Sequence, residues 1–523
     1  MSASRSALKL VLATTTAAVV LVALAACSSS SSSPSSSKRA AELVTQFQGV
    51  PLSLDPAHGG SGGSALFTAL DYDSLIYQTG DGKLIPDLAT KWVFGDGNKS
   101  LTLTLRKGVK FTDGTTLNAK DVKASIDRFL KGGGSNVPDV GPVDAVSTKG
   151  TNTVTITYKT PFPDSAFYLS QYWSMGQIVG PKGMANPKSL LTTSDGTGQY
   201  TFDAADTVTG SSYVYTRNPH YFNPSAQKYN KMVIKIIADP SATLSAATTG
   251  QVQFATGAPS VASSATSAGL SIVKGPFFNW GLTFVDLSGT TVPALKSADV
   301  RQAIAMAIDR DGLAQAEGSA YTHANGQAGN AGIDGYIKGY GFKYDVSTAK
   351  KLMAEGGYPN GFSVTMLTEN ILDGQTTISQ AIEADLAKIG VKVNLVVKTS
   401  VPDFIGASLS KQYPVVIWPV VGTNGAQVAR NFFAPGVTDP FGNTDPTLVS
   451  LYNSALGAST PAARTAGYEK LTKQLNKLAW FVPIVSTDNV YLVGKNIRNV
   501  TASALNPNPE PQAPVAQYAW STK

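Results

Sequence analysis

Residues 378–397 read ISQAIEADLAKIGVKVNLVV, and their pattern indicates how this chain folds. Isoleucine or leucine returns every three or four positions up to residue 389, which predicts a helix with one buried face. Gly390 ends that helix, and the alternation of apolar residues over 391–397 predicts a strand that follows at once. A helix, a glycine stop and a strand joined without a linker are typical of α/β proteins.

The same mixture of elements is predicted near the N-terminus. Residues 101–105 (LTLTL) and 154–158 (VTITY) alternate apolar and hydroxyl side chains, as half-buried strands do. Between them, residues 118–121 (NAKD) form a capping box that predicts a helix reaching Phe129. The three glycines at 132–134 end it. A βαβ-like arrangement is therefore expected here, and an all-β barrel is excluded.

Further elements are predicted in the second half of the chain: a strand at 233–237, a helix at 240–249, a helix capped by Asp299, a helix capped by Ser347, a helix at 462–478 and a short strand at 482–484. Neither an internal repeat nor a coiled-coil heptad is visible. The chain thus reads as α/β over most of its length.

Composition limits the class of function. The 523 residues are 42% hydrophobic and 15% charged, which suits a globular protein of two lobes or about three domains. The formal net charge of +7 includes no dense Lys/Arg block, so we do not expect a nucleic-acid partner. His58, His220 and His323 are far apart in sequence and have no metal-ligand spacing, so we expect neither a bound metal nor a cofactor.

The chain contains one cysteine, Cys27, close to its N-terminus. Arg5 and Lys9 precede an uncharged apolar run that reaches Ala26. Basic residues, an apolar run and small residues before the cysteine are typical of a secretory signal peptide. Residues 24–27 (LAAC) also resemble the bacterial lipobox, in which the cysteine thiol receives a diacylglycerol and becomes the new N-terminus.

Residues 28–37 consist of serine with one proline, and such a segment is predicted to be a disordered tether. A permanent transmembrane helix and a catalytic cysteine are the alternatives for this region. The apolar run has only about 17 residues, which is short for a bilayer, and Cys27 precedes the predicted domain. We therefore predict a lipid anchor at Cys27.

Seven motifs lie in order along the chain: residues 84–92 (LIPDLATKW), 101–114 (LTLTLRKGVKFTDG), 118–122 (NAKDV), 196–200 (GTGQY), 217–222 (RNPHYF), 300–310 (VRQAIAMAIDR) and 349–359 (AKKLMAEGGYP). Together they resemble family 5 of the bacterial extracellular solute-binding proteins, the oligopeptide and nickel receptors of ABC importers. The resemblance covers nearly the whole mature chain. Most of these residues read as strand, turn and helix-cap material, so they indicate the class of receptor and leave its cargo open.

The resemblance implies an α/β, two-lobe periplasmic-binding-protein fold of the Venus-flytrap, class II type, with an extra domain in the N-terminal half. The implied segments are a signal peptide at 1–26, a lipidated cysteine and tether at 27–40, lobe I at 41–75, 190–270 and 481–523, the extra domain at 76–189, and lobe II at 271–480. A monomer held outside the cytoplasmic membrane by its lipid would capture a solute and deliver it to an ABC permease and ATPase. No chemistry on the ligand is implied.

Aromatic surface with a few polar anchors is typical of a small-molecule cleft. The candidate ligand-binding residues are Tyr72, Asp73, Trp173, Asn279, Trp280, Trp418, Asn424 and Gly425. Ordinary core packing is the alternative for each aromatic residue. By the resemblance, residues 417–425 form the ligand loop, in which peptide-binding relatives carry an acid for the α-ammonium group. This chain has none there, and Asp73 or Asp403 could substitute.

Several alternatives remain for function. We expect the cargo to be a peptide. A neutral oligosaccharide and a chelated metal are the alternatives. A signalling-peptide receptor without transport is a further possibility. Residues 59–63 (GGSGG) fit the G-x-S-x-G pattern of hydrolases, but they lack the strand before and the helix after that this motif needs.

Overall fold

The structure is a computed structural model that describes residues 40–59, 65–132, 134, 137–318, 320–371, 375–432 and 438–522. Three features predicted from the sequence lie outside these residues: the signal peptide, Cys27 with its serine tether, and Ser61 of the GGSGG run.

Strands occur along the whole described chain. They are β1 (Ala40–Phe47), β2 (Ile76–Gln78), β3 (Leu84–Pro86), β4 (Ala89–Gly95), β5 (Ser100–Leu105), β6 (Val143–Lys149), β7 (Thr153–Tyr158), β8 (Tyr200–Phe202), β9 (Ser212–Arg217), β10 (Tyr229–Ile236), β11 (Phe254–Gly257), β12 (Ser271–Phe284), β13 (Thr322–Ala324), β14 (Phe362–Glu369), β15 (Val391–Lys398), β16 (Val415–Val420), β17 (Phe481–Val493), β18 (Ile497–Arg498) and β19 (Ser521–Thr522).

Helices alternate with these strands. They are α1 (Ala65–Thr68), α2 (Ala119–Lys131), α3 (Pro181–Ala185), α4 (Pro240–Thr248), α5 (Pro259–Ser267), α6 (Ala298–Ala307), α7 (Arg310–Ala316), α8 (Val346–Glu355), α9 (Gln375–Ala387), α10 (Val401–Leu409), α11 (Gly425–Arg430), α12 (Pro446–Leu456) and α13 (Pro461–Leu478). Helix α9 followed by strand β15 confirms the prediction for residues 378–397.

One large mixed sheet runs through the molecule in the order β15-β14-β16-β12-β17-β11-β1-β10-β9-β8, with β13 paired to β17. Strands β14, β15 and β16 are mutually parallel, and so are β1, β10 and β11. These two groups form the two halves of the sheet. Parallel strands covered by helices make the α/β character of each half.

Two long antiparallel strands, β12 and β17, join the halves. Residues 271–276 of β12 pair with residues 488–493 of β17 beside β11, whereas residues 279–284 pair with β16 on their other edge. The ladder is interrupted at Phe277, since Pro276 faces Asp488 and Phe278 already faces Thr487. An extra residue in one strand bends it and increases its twist. The irregularity therefore lies where the chain passes from one half to the other.

A separate four-stranded sheet has the order β4-β5-β7-β6 and packs with helix α2. Asn118 and Asp121 form the predicted capping box at the start of α2. Strands β5 and β7 are antiparallel neighbours, so the expected βαβ-like arrangement is wrong in its strand direction. Helix α2 and strand β6 follow β5 in the chain, and β7 then returns beside β5 in the opposite direction.

Two helix caps were predicted at the wrong residue, and in each case the observed capping residue lies two positions earlier in the sequence. Ser297 caps α6 by accepting a hydrogen bond from the Val300 N–H, and Asp299 lies within the first turn. Asp345 likewise caps α8, although Ser347 was the expected cap. In each case two residues able to cap lie close together, and the extended backbone decides which one accepts the bond.

Buried apolar residues form separate cores for the separate layers. One core packs α6, α8 and α9 on β12, β14, β15 and β16, another lies between α2 and the four-stranded sheet, and two cover the faces of the β1 half. Strands β12 and β17 pass between these cores from one half of the large sheet to the other.

Candidate functional site

A cavity of about 1190 Å³ lies against the β12/β17 crossing. Part of the lining comes from β1, β11 and the starts of α4 and α5, and another part comes from residues 421–431. Residues 168–173 and 508–510 contribute the remaining sides. The cavity is thus lined from both halves of the large sheet.

Aromatic side chains make two sides of this cavity. Tyr168, Tyr172 and Trp173 form one cluster, with ring centroids of Tyr168 and Trp173 4.7 Å apart and those of Tyr172 and Trp173 5.5 Å apart. Phe278 and Trp280 form the other, at 5.8 Å. Rings in such arrangements are rigid apolar surfaces with little conformational entropy to lose on binding.

Trp280 connects the cavity to the crossing strands. Its side chain is only 1% exposed, and its indole N–H donates to the hydroxyl of Thr487 on β17 at 3.2 Å. Thr487 also lines the cavity. Trp280 therefore lines the cavity and also forms a hydrogen bond that links β12 to β17.

Charged residues on the walls are mostly paired. Arg430, the last residue of α11, donates to a carboxylate oxygen of Asp139 at 2.6 Å and to its carbonyl oxygen at 3.0 Å. Asp488 accepts from Lys274 at 3.0 Å and lies 3.3 Å from the His323 ring. Each of these two carboxylates already faces a basic side chain.

Glu510 differs from Asp139 and Asp488 in its surroundings. Its side chain is 6% exposed, and one of its carboxylate oxygens accepts a hydrogen bond from the Gln512 amide at 3.0 Å. Gln171 supplies a second amide. Burial raises the pKa of Glu510 to about 8, and the two amide hydrogen bonds act in the opposite direction. No basic side chain in the described part of the chain forms an ion pair with it.

The segment carrying Glu510 is held firmly. Residues 506–514 read NPNPEPQAP, and the prolines lack backbone N–H groups while their carbonyls still need donors. Tyr491 donates its hydroxyl to the Pro507 carbonyl at 2.6 Å, and the Trp520 N–H donates to the Pro511 carbonyl at 3.0 Å. Restricted backbone angles and satisfied carbonyls fix where the Glu510 side chain points.

A model of the family described as bacterial extracellular solute-binding proteins, family 5, middle region, matches residues 83–437. The match spans more than half of the chain. The chain belongs to this family. It is accordingly an extracytoplasmic solute-binding protein of the ABC-importer class, and the resemblance noted from its motifs is confirmed.

Relatives extend the comparison. The glutathione-binding protein GsiB of Pectobacterium atrosepticum is 28% identical over 358 residues, which is 66% of this chain and 66% of the relative. This solute-binding protein therefore aligns with about two thirds of the length of the curated relatives it matches. Among solved structures, DppA from Helicobacter pylori in complex with the peptide STSA has a TM-score of 0.74 at 21% identity, covering 92% of this chain and 98% of that one.

A second solved structure has a different ligand. NikZ from Campylobacter jejuni in complex with Ni(L-His) has a TM-score of 0.74 at 18% identity and covers 92% of this chain and 99% of that one. These likenesses show the fold, and they confirm the predicted two-lobe α/β architecture. At such identities, one fold carries different ligands.

Two of the predicted ligand-binding residues, Trp173 and Trp280, line the cavity of this solute-binding protein. The other six do not. Tyr72 is fully buried and its hydroxyl accepts from the Asp195 N–H at 3.4 Å. Asp73 is buried close to Asp87 and Arg106, and burial raises its pKa well above the usual range. Asn279 donates its amide to the Gln327 and Ala328 carbonyls at 2.9 and 2.6 Å.

The predicted ligand loop, residues 417–425, reaches the cavity, but the residues that line it are not the predicted Trp418, Asn424 and Gly425. Val421, Gly422 and Thr423 line it. Trp418 instead stacks on Phe404, with centroids 4.4 Å apart. Asn424 caps α11, since its side chain accepts from the Gln427 N–H.

Gly425 is packed too tightly to carry a side chain. A Cβ atom at this position would lie 2.5 Å from the Tyr468 ring. Its role in the solute-binding protein is therefore to let α11 approach α13 closely.

Sequence reasoning missed Asp139, Arg430 and Glu510 as cavity residues. The one signal available for Glu510 was local, since it is a single acid within a proline-rich run at 506–514. Nothing near Asp139 or Arg430 in the sequence indicates that they pair, because they belong to distant segments. Among the residues that the structure describes, no cluster of His, Cys, Asp and Glu could hold a metal ion, and no helix has the length and apolarity to cross a membrane.

Proposed function

We propose that this solute-binding protein captures a short peptide in the cavity beside β12 and β17 and delivers it to an ABC permease and its ATPase. The observation that carries the proposal is a cavity of about 1190 Å³ with aromatic walls and charged groups of both signs. Pockets for drug-sized ligands have roughly 300–1,000 Å³. A larger cavity with acidic and basic groups suits a short zwitterionic chain and accompanying water.

The relatives support a peptide by analogy. One is named for glutathione binding, and a structural neighbour was solved with the peptide STSA. The neighbour with Ni(L-His) supports a chelated metal as the alternative cargo. We prefer a peptide because the cavity combines Glu510 with Arg430 and does not present a group of metal ligands among its described residues.

Capture requires the two lobes to close. We propose lobe I at residues 41–75, 190–270 and 481–523, lobe II at 271–480, and the extra domain at 76–189. A ligand that contacts both lobes stabilises the closed form by its differential affinity, and the permease can then recognise that form. The protein is proposed to act as a monomer and to leave its ligand chemically unchanged.

Membrane attachment is proposed to occur through Cys27. A lipid on the mature N-terminal cysteine, followed by the serine tether at 28–37, would hold the protein beside its permease on the outer face of the cytoplasmic membrane. Labelled palmitate should be incorporated by the wild-type protein in its native cell and not by Cys27→Ser. Equal labelling of both proteins would contradict the anchor.

Ligand screening tests the cargo. Native mass spectrometry of the purified protein, followed by melting in the presence of tripeptides, oligosaccharides and metal chelates, should show a rise in Tm with tripeptides. A ligand that binds only the folded state raises stability by RT ln(1 + [L]/Kd), about 2.7 kcal/mol at 100 Kd. A rise with a sugar or a chelate and none with any peptide would contradict the proposal.

Small-angle scattering tests the mechanism. A saturating peptide should lower the radius of gyration, because closure brings the two lobes together. The matched control is Trp418→Phe, which keeps a ring against Phe404 outside the cavity and should close to the same extent as the wild type. Identical scattering curves with and without bound peptide would exclude closure as the response to ligand.

A further inference from the structure

We propose that Glu510 receives the cationic amino group of the ligand. This inference rests on the proposed capture of a peptide and specifies which group of the protein recognises its N-terminus. The acid is missing from residues 417–425, where the resemblance led us to expect it. Glu510 supplies a carboxylate to the same cavity from the C-terminal segment.

Charge balance distinguishes Glu510 from two other acids of the cavity, Asp139 and Asp488. Asp139 already faces Arg430 at 2.6 Å, and Asp488 already faces Lys274 at 3.0 Å. The described neighbours of Glu510 are neutral: the amides of Gln171 and Gln512 and the phenol of Tyr172. A buried carboxylate without a cation is costly, and a ligand ammonium group placed beside it would compensate that cost.

The carboxyl group is held in place before ligand arrives. Gln512 donates to it, and the backbone carbonyl of Gln512 in turn accepts from the Tyr77 hydroxyl at 2.8 Å. The Asn508 amide donates to the Tyr172 hydroxyl at 3.0 Å. Groups fixed in this way lose little conformational entropy on binding, which favours affinity and specificity.

A proton is released when the amino group binds. Since burial raises the pKa of Glu510 to about 8, its carboxyl group is largely protonated at neutral pH in the empty protein. A neighbouring ammonium group favours the carboxylate, so the Glu510 proton passes to solvent as the ion pair forms. The titratable groups that face Glu510 are the phenols of Tyr77 and Tyr172, and burial raises the pKa of both, so they stay neutral.

The test compares peptides with and without a free amine. The probes are a random tripeptide library and the same library acetylated at its N-termini, offered in competition and read by native mass spectrometry. Wild-type protein should prefer the free amines by about tenfold or more, as expected for a buried charge-assisted contact. Glu510→Gln should reduce that preference to near equality while it still binds acetylated peptide.

Glu355→Gln is the matched control, because Glu355 is an exposed residue at the end of α8, outside the cavity, and the change is the same. It should keep the preference of the wild type. Circular dichroism and melting confirm that each variant is folded. Calorimetry of the tightest free tripeptide at pH 6.5, in buffers of different ionisation enthalpy, should show release of close to one proton by the wild type and none by Glu510→Gln.

The outcomes separate this inference from the proposed function. If wild-type protein binds both libraries equally, or Glu510→Gln keeps the preference, the role of Glu510 is overturned and peptide capture stands. If neither library binds the wild type, peptide capture fails and the inference fails with it. The preference for free amines is measured on wild-type protein, so its absence would overturn the role of Glu510 even if the variant did not fold.

Discussion

Arg430 and Asp139 form an ion pair across the cavity, with a guanidinium nitrogen 2.6 Å from a carboxylate oxygen. Arg430 ends α11, whereas Asp139 lies in the short 3₁₀ turn Val137–Val140 beside the four-stranded sheet. The pair therefore connects proposed lobe II with the proposed extra domain. Under the proposed closure, we expect this contact to stabilise the closed form, because opening the lobes would separate its partners.

Breaking this pair should weaken ligand binding. Asp139→Asn removes the charge and leaves the second bond, from Arg430 to the residue 139 carbonyl, in place. The side chains are 24% and 34% exposed, so solvent screening limits the loss to about 0.5–1 kcal/mol. We expect Kd for the captured tripeptide to rise roughly two- to fivefold, as measured by calorimetry.

Asp127→Asn is the control for that change. It breaks the Lys123–Asp127 pair within α2, which does not line the cavity. Affinity should remain that of the wild type. An equal loss of affinity in both variants would mean that Asp139 acts through general charge and not through its partner.

Trp280 and Trp418 should respond differently to replacement by phenylalanine. Trp280→Phe loses the hydrogen bond to Thr487, worth about 1 kcal/mol, and part of a cavity wall. Stability should fall and Kd should rise roughly two- to tenfold. Trp418→Phe keeps a ring against Phe404 outside the cavity, so Kd should stay constant. Urea unfolding and calorimetry on both variants check this, and equal Kd changes would contradict it.

The stability of the empty protein should depend on pH through Glu510. Its pKa is raised by burial from 4.5 in the unfolded chain to about 8 in the folded protein. A carboxyl group with a raised folded pKa contributes stability below pH 4.5 that is lost as pH rises towards 8. The loss has a slope of at most about 1.4 kcal/mol per pH unit.

The free energy of unfolding of Glu510→Gln should therefore fall less between pH 5 and pH 8 than that of the wild type. Urea unfolding of both proteins at these two pH values measures the difference. Burial also raises the pKa of Asp87 to about 7 and of Asp164 to about 6. These residues act in the same direction in both proteins and cancel in the comparison. Parallel stability profiles would show that the folded-state pKa of Glu510 is close to its ordinary value.

Gly281 lies in β12 where the strand packs closely against β17. A Cβ atom there would lie 2.5 Å from the Phe481 ring and from the Val482 carbonyl oxygen. Gly281→Ala should destabilise the protein by about 1–3 kcal/mol through overpacking. Gly406→Ala is the control, since open space surrounds that position in α10 and alanine favours a helix by about 1 kcal/mol. Thermal melts should move in opposite directions.

Local signals in the sequence predicted many elements correctly. The Asn118–Asp121 capping box and the glycine after α9 act over three or four residues, so their physical effect is complete within the segment that carries them. Such local signals did not identify the caps of α6 and α8 correctly. Ser297 and Asp345 each compete with a second polar residue two positions away, and local preference does not separate them.

Strand β17 is much longer than its local sequence signals predicted. Residues 482–484 predicted a short strand, whereas the structure extends it over Phe481–Val493. Its extra length comes from pairing with β12 on one edge and with β11 and β13 on the other. Ladder hydrogen bonds to distant strands stabilise a backbone whose own sequence is a weak strand signal.

Periodicity, caps and ordered motifs along the chain predicted the α/β class and the family, and two of the eight ligand-binding candidates, Trp173 and Trp280, line the cavity. The folded arrangement was needed to show that Glu510 reaches the cavity with no ion pair to a basic residue in the described part of the chain, and that Arg430 meets Asp139. Those properties depend on which distant segments come together and on what burial does to a charge. A carboxyl group has no unusual pKa, and a cavity has no walls, until folding removes water and brings the segments into contact.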